Sequence, residues 1–430
     1  MDSPDYGRTP PDRATPPDQI ESPRYEWPSR TPSPYPQPIH RTPSPNPQEQ
    51  FFPSNSVPID DSTLRLLEDR EWCAVDEGPL EPYNRNHFHT YCRNQEVNYG
   101  RLEYNADEEH TILNGLDRLD QTLEELGKEI RELPNQEHYD IHTDFLHDYW
   151  RYPETLVNFF VCKNKAFLKL VEILHVVVQD DLPWDDLNTF HLCEGPGYFI
   201  DAVHYVWLQA TAENNDAMWG WGANTLNPYF ENRSCFEKLI DDSHIRGHSD
   251  KWYFGPSDDG DVFKFNEAYV SSMGLKGKFD LVTADGSVNT QGQESQIEDV
   301  VAPLIRAEIN AALLLLKPGG MLIIKMYRFR GQATCDNLQL LSRHFAKFIT
   351  YKPSASRPGS AERYLICYEF GGSFNFDFFR FKAGDYFHTR LQARRIVRHL
   401  DKFKTGRMTY TVAEKEKYIE DRKALMFTGE

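Results

Sequence analysis

From about residue 163 onward the apolar positions switch between two periods. Short apolar runs at 189–194, 217–225, 279–285, 320–327, 348–352 and 363–369 read as strands, because each is brief, β-rich and bounded by turn residues. Helical stretches lie between most of them. This alternation predicts an α/β fold built on a doubly wound sheet. In such sheets ligands sit beyond the carboxyl ends of the strands, where strand order reverses.

Upstream the pattern is different. Ile112, Leu116, Leu119, Leu123, Leu126, Ile130 and Leu133 repeat at four and three, an a/d seam within 107–133 that stops at Pro134. Three heptads are marginal for a free-standing coiled coil. The expected use of this helix is packing onto the main domain, with dimerisation the alternative. Residues 1–58 hold 16 of the 28 prolines and almost no aliphatic side chains. Such a segment cannot bury enough apolar surface to offset its ordering entropy, so it reads as a disordered tail. It repeats Arg30-Thr-Pro-Ser-Pro-Tyr-Pro-Gln as Arg41-Thr-Pro-Ser-Pro-Asn-Pro-Gln. Phosphorylation of these Ser-Pro and Thr-Pro sites would add charge and create a phospho-dependent docking tail; a plain solvated tail is the other reading. The expected organisation is a tail at 1–58, an acidic helical region at 59–160, the α/β domain at 161–375 and a basic helical extension at 376–430.

Charge sharpens that division. Residues 59–150 carry 8 basic against 23 acidic side chains, which is −15 of a total of −19. Residues 1–58 (5 basic, 7 acidic) and 151–430 contribute −2 each. The acid lies outside the α/β region, so polyanion binding there is not excluded. The seven cysteines are odd in number, scattered and never paired as C-x-x-C, which points to a reducing compartment without structural disulfides. Cys73, His87, His89 and Cys92 fit no common zinc spacing, so no metal site is expected. No apolar run approaches the 18 or so residues of a membrane span, and the Pro-rich start does not resemble a signal peptide.

Chemistry enters at His191-Leu-Cys-Glu194-Gly195-Pro196-Gly197-Tyr-Phe, where the first strand of the α/β region ends in a glycine turn. A P-loop would need Gly-Lys-Ser/Thr, which is absent. A dinucleotide fingerprint would need a third glycine where Ile200 stands. S-adenosylmethionine remains the common occupant, since its methionine part needs close backbone approach rather than an anion cradle. Glu194 could help hold its ammonium or a ribose hydroxyl.

Four further segments accompany the turn: Asn164-Lys-Ala-Phe-Leu-Lys169, Val282-Thr-Ala-Asp285-Gly-Ser, Lys317-Pro-Gly-Gly-Met-Leu-Ile-Ile-Lys325-Met, and Ser356-Arg-Pro-Gly-Ser-Ala-Glu362-Arg-Tyr. With Ala223-Asn-Thr-Leu-Asn-Pro-Tyr229, Trp252-Tyr-Phe-Gly-Pro256 and Gly260-Asp261-Val they form an ordered set over roughly 165–370. In this set the chain resembles the FtsJ/RrmJ-type RNA 2′-O-ribose methyltransferases, and within them the cap-specific mRNA 2′-O-methyltransferase 2 family. The bacterial-type turn differs, with Asp and Gly at the positions of His191 and Tyr198.

The resemblance implies a Rossmann-like class I methyltransferase sheet. It implies S-adenosylmethionine as cofactor, capped mRNA as partner, and location in the nucleus, the cytoplasm or both. It implies a catalytic tetrad of Lys169, Asp285, Lys325 and Glu362. Cofactor contacts are expected from Glu194, Gly195, Pro196, Gly197, Trp219 and Asp285, with Asp261 near the adenine. The expected activity is 2′-O-methylation at the second transcribed nucleotide. A cap-1, ribosomal RNA or transfer RNA target, or a catalytically silent module that binds capped RNA, are the alternatives. A ribose hydroxyl is a poor nucleophile at neutral pH, so Lys325 is expected to accept its proton. Lys169 should depress the Lys325 pKa by like-charge repulsion, while Asp285 and Glu362 fix both ammonium groups. Arg328, Arg330, Lys352 and Arg357, near the tetrad in sequence, and Arg394, Arg395 and Arg398 in the basic extension are expected to meet RNA phosphates.

Overall fold

The computed structural model describes residues 89–92, 106–134, 136, 139, 143, 164–231, 241–288, 296–353, 355–357 and 359–406. All of them fall within the unit Ser44–Glu430. The Pro-rich tail lies outside the described residues, as do Cys73 and His87.

Seven strands form one mixed sheet: β1 His89–Cys92, β2 Asp186–Leu192, β3 Met218–Ala223, β4 Phe279–Ala284, β5 Leu316–Met326, β6 Phe345–Tyr351 and β7 Arg363–Phe370. Their order is β1-β6-β7-β5-β4-β2-β3. Strands β3, β2, β4 and β5 are parallel, and β7 runs against both β5 and β6. All six strands expected from the apolar runs are present. The short edge strand β1, antiparallel to β6, was not expected. Four residues cannot display a period, so its existence rests on pairing with β6.

The helices are α1 Ala106–Arg131, α2 Lys165–Ile173, α3 Tyr198–Ala210, α4 Ser243–Gly247, α5 Glu267–Ser272, α6 Ile297–Leu315, α7 Gln332–Ser342 and α8 Phe378–Lys404. Alternate strand residues feed opposite faces of the sheet. Leu281, Met321, Ile323 and Ile366 pack with α2 and α3. Val282, Leu322, Ile324, Leu365 and Cys367 pack with α6 and α7. Near-continuous apolar strands are what a sheet covered on both faces requires.

The seam of α1 is buried as its spacing predicted, but against the other helical addition. Leu116, Leu119, Leu123 and Leu126 close on Tyr386, Ala393, Ile396 and Leu400 of α8. The chain leaves β2 for β3 on one side and later returns to place β4 on the other. The switch point therefore lies between the carboxyl ends of β2 and β4, which is where the glycine turn and Asp285 emerge.

Candidate active site

The turn after β2 is built from backbone necessity. The Gly195–Pro196 peptide is cis, and Gly197 has φ +128°, a conformation that L side chains rarely adopt. A Cβ on Gly197 would stand 2.5 Å from the His244 ring. That ring sits beside Asp201 in the first turn of α3, with Nε2 2.9 Å from its carboxylate. The close approach that the glycine permits is therefore occupied by a residue of this chain.

Glu194 faces inward. It is buried, and its carboxylate accepts the Phe199 backbone N–H at 2.6 Å, closing the start of α3. Burial pushes its pKa well above the usual carboxylate range. This helix cap gives Glu194 a structural role at the start of α3.

Trp219 is a correction. It pairs with Leu187 near the amino ends of β2 and β3, four residues before Ala223. At about 3.3 Å per residue that is roughly 13 Å from the strand ends. Its indole N–H donates to Thr189, and its ring stacks on His204. The sequence places it near the start of the right strand, and the parallel pairing with β2 shows that the glycine turn lies at the other end. At the edge itself stands Asn224, buried directly after β3, whose amide donates to the carbonyls of Tyr253 and Gly260. Asp261 caps a short turn through the Phe263 N–H.

The four tetrad positions converge at the carboxyl ends of β4 and β5 as two ion pairs. Lys325 Nζ, nearly buried on β5, lies 3.2 Å from the Asp285 carboxylate and donates to the Asp285 carbonyl at 2.8 Å. The Tyr364 hydroxyl donates to the same carboxylate at 2.7 Å. Lys169 on α2 meets Glu362 at 2.6 Å. Glu362 also accepts from Ser356 at 2.7 Å. Because β7 is antiparallel to β5, with Arg363 opposite Met326, Glu362 enters at the end where Lys325 leaves.

Electrostatics corrects the expected role of Lys169. Burial alone would lower the Lys325 pKa, but Asp285, Tyr327, Glu362 and Glu308 together hold it above its ordinary value. Lys169, with Lys325, instead draws Glu362 down to about 2 against its burial. In this structure Lys325 is a well-stabilised ammonium.

Three of the expected phosphate contacts are structural. Arg328 is buried and pairs with Asp120 of α1 at 2.8 Å. Arg330 pairs with Asp120 and, at 2.7 Å, with Asp385 of α8. Lys352 is buried and donates to the carbonyls of Ser360 and Glu362, both at 2.8 Å. Arg357 is exposed, and Arg394, Arg395 and Arg398 are half-buried on α8. One residue escaped sequence reading altogether. Glu308, on the apolar stripe of α6, reaches under the site and accepts the Gly286 N–H at 2.9 Å. Its signal was an acid at a core-facing position of an apolar helix.

The glycine turn at the switch point and the two lysine–carboxylate pairs beside it lie within the part of the chain that matches a known family. Residues 162–370 match the FtsJ-like methyltransferase family. The chain is 36% identical over 217 residues to "Cap-specific mRNA (nucleoside-2'-O-)-methyltransferase 2" of Danio rerio, 48% of this chain and 28% of that protein. It is 40% identical over 114 residues to a cap-specific mRNA (nucleoside-2'-O-)-methyltransferase of Autographa californica nuclear polyhedrosis virus, 26% of this chain and 44% of that one. Identity is 26% over 217 residues to "Cap-specific mRNA (nucleoside-2'-O-)-methyltransferase 1" of Dictyostelium discoideum, 47% of this chain and 28% of that protein. The matches thus span well under two thirds of each relative's length.

Proposed function

We propose that this protein is an S-adenosylmethionine-dependent methyltransferase acting on a ribose 2′-hydroxyl of capped mRNA, at the second transcribed nucleotide. The observation that carries the reading is the pair of lysine–carboxylate bridges at the carboxyl ends of β4 and β5. Support for the second nucleotide comes from the relatives: identity is 36% to one named 2'-O-methyltransferase 2 and 26% to one named 2'-O-methyltransferase 1.

The residues present fit the cofactor. The Asn224 Oδ1 acceptor is buried without a hydrogen-bond partner at the end of β3, next to the turn, and suits a ligand hydroxyl. When bound, S-adenosylmethionine supplies a methyl group activated by its positive sulfur. Asp285 and Tyr364 hold the Lys325 ammonium in place, and Lys169 with Glu362 completes the rim. For Lys325 to accept a hydroxyl proton it must first lose its own. Positive charge brought near it lowers its pKa, so that loss belongs to the loaded enzyme rather than the free one.

Mass analysis of a capped transcript after incubation with cofactor tests the reading. A single added methyl on the second ribose is the expected product, and none should form on an oligonucleotide deoxy at that position. Lys325→Ala and Lys325→Arg should both abolish transfer, because guanidinium stays protonated. Methylation of the deoxy substrate, or an active Lys325→Arg variant, would return the assignment to base methylation.

A further inference from the structure

Glu308 belongs to no motif of the sequence, yet its carboxyl is one of the most enclosed in the protein, 1% exposed on the core face of α6. An acid placed there needs partners. Its Oε1 accepts the Gly286 N–H, the first amide after Asp285. A Cβ on Gly286 would stand 2.4 Å from that oxygen, so the glycine is what lets the carboxyl tuck under the turn. The Cys193 thiol, just before the glycine turn, is close enough for its pKa and that of Glu308 to influence one another. Glu308 thus braces the turn that leaves β4, with Cys193 at the end of β2 as its neighbour across the switch point.

We infer that Glu308 is a positioning residue of the Lys325 centre, fixing the Asp285–Gly286 turn from below and adding a third carboxyl to the field around that ammonium. The inference rests on the reading of Lys325 as proton acceptor. The groups facing Lys325 are Asp285 from the end of β4, Tyr327 after β5, Glu362 before β7 and Glu308 from α6. Those facing Glu308 are Cys193, Asp285 and Lys325. Burial raises the Glu308 carboxyl to about 7, even though Lys325, the Gly286 N–H and Cys193 pull it down. Near neutral pH it exchanges its proton, and each change of charge alters how firmly Lys325 keeps its own.

The first test needs no turnover. Carbon-13 labelled glutamate carboxyls are titrated by NMR in the whole protein, the Glu308 signal being the one lost in Glu308→Gln. Its midpoint should lie near neutral pH and rise by about one unit in Lys325→Gln, which removes the cation that lowers it. A midpoint in the ordinary glutamate range, or one unmoved by Lys325→Gln, overturns the inference. The second test compares two variants. Glu308→Gln keeps an acceptor for the Gly286 N–H, so its turnover should stay within a few-fold of wild type. Its rise with pH should fall about one unit lower, because one negative charge near Lys325 is gone. Glu308→Ala removes the acceptor too and should lose about tenfold or more, with cofactor affinity nearly kept. Equal losses and unshifted profiles in both variants would reduce Glu308 to a packing residue. If the wild-type protein methylates no ribose, the proposed reaction fails, while the NMR midpoints still decide the role of Glu308.

Discussion

Lys325 illustrates how a side chain's neighbours set its chemistry. A lone buried lysine tends toward neutrality, yet the carboxylates around this one hold its proton more firmly than water does. Glu362 couples the two ion pairs. Removing Lys169 would leave Glu362 facing Lys325 alone, so Lys169→Ala should move the alkaline rise in turnover upward, and pH profiles of the two proteins would reveal the shift. Glu362 also predicts an acid limb of stability. Its pKa is about 2 in the fold against an ordinary 4.5, so its contribution is present above 4.5 and is lost as pH falls toward 2. Glu308 works in the opposite sense. With a folded pKa near 7, the native state binds the extra proton between 4.5 and 7, so stability falls as pH rises through that window. Denaturant titrations across pH should show both limbs, with Glu362→Gln lacking the acidic one and Glu308→Gln the near-neutral one. Gly197→Val would be a poor probe of the cofactor, because the new side chain strikes His244 and the positive φ before any ligand is considered.

At the scale of elements, the helical additions are fastened to the strands that carry the site. Asp385 on α8 is fully buried and meets Arg330, which follows β5, and Arg363, the first residue of β7. Asp120 on α1 meets Arg328 and Arg330 from the other side. Lys325 and Glu362 therefore stand within a few residues of anchors supplied by α1 and α8. Replacing Asp385 with Ala would take the carboxylate from the buried Arg363 guanidinium and leave Arg330 only Asp120. The expected cost is about 3–5 kcal/mol, measurable by chemical denaturation. Asp120→Ala, half exposed, should cost about 1 kcal/mol or less. If both variants unfold like wild type, the helices are accessory and the clamp carries no energy.

Across the whole molecule, the ion pairing of Arg328 and Arg330 and the burial of Lys352 narrow where RNA phosphates can be met. Of the other expected phosphate contacts, Arg357, exposed in the segment before Glu362, is the nearest to the tetrad in sequence. Arg357→Ala should weaken binding of capped RNA across sequences and reduce the salt slope by about one. An unchanged slope would move the strand to another face. The tail at 1–58, which lies outside the described residues, should be dispensable for methyl transfer to short capped RNA. A chain starting near residue 59 that loses turnover would make the tail part of the active enzyme.

The sequence by itself determined what depends on local order along the chain. Strand runs, the a/d seam of α1 and the strand-end places of Asp285 and Lys325 were legible, because apolar period and strand-end position are properties of neighbouring residues; grouping them with Lys169 and Glu362 came from the resemblance. Only the tertiary structure decided what depends on separation and burial. That Trp219 lies at the end of β3 away from the glycine turn follows from the parallel pairing of β3 with β2, which no single strand contains. That three basic residues near Lys325 and Glu362 are ion-paired or capped inside follows from α1, α8 and the β6–β7 loop arriving from distant positions. The charge state of Lys325 and the presence of Glu308 beneath it were beyond reading from sequence for the same reason. A pKa is fixed by the enclosed charges within a few ångströms, and here those come from four separate segments of the chain.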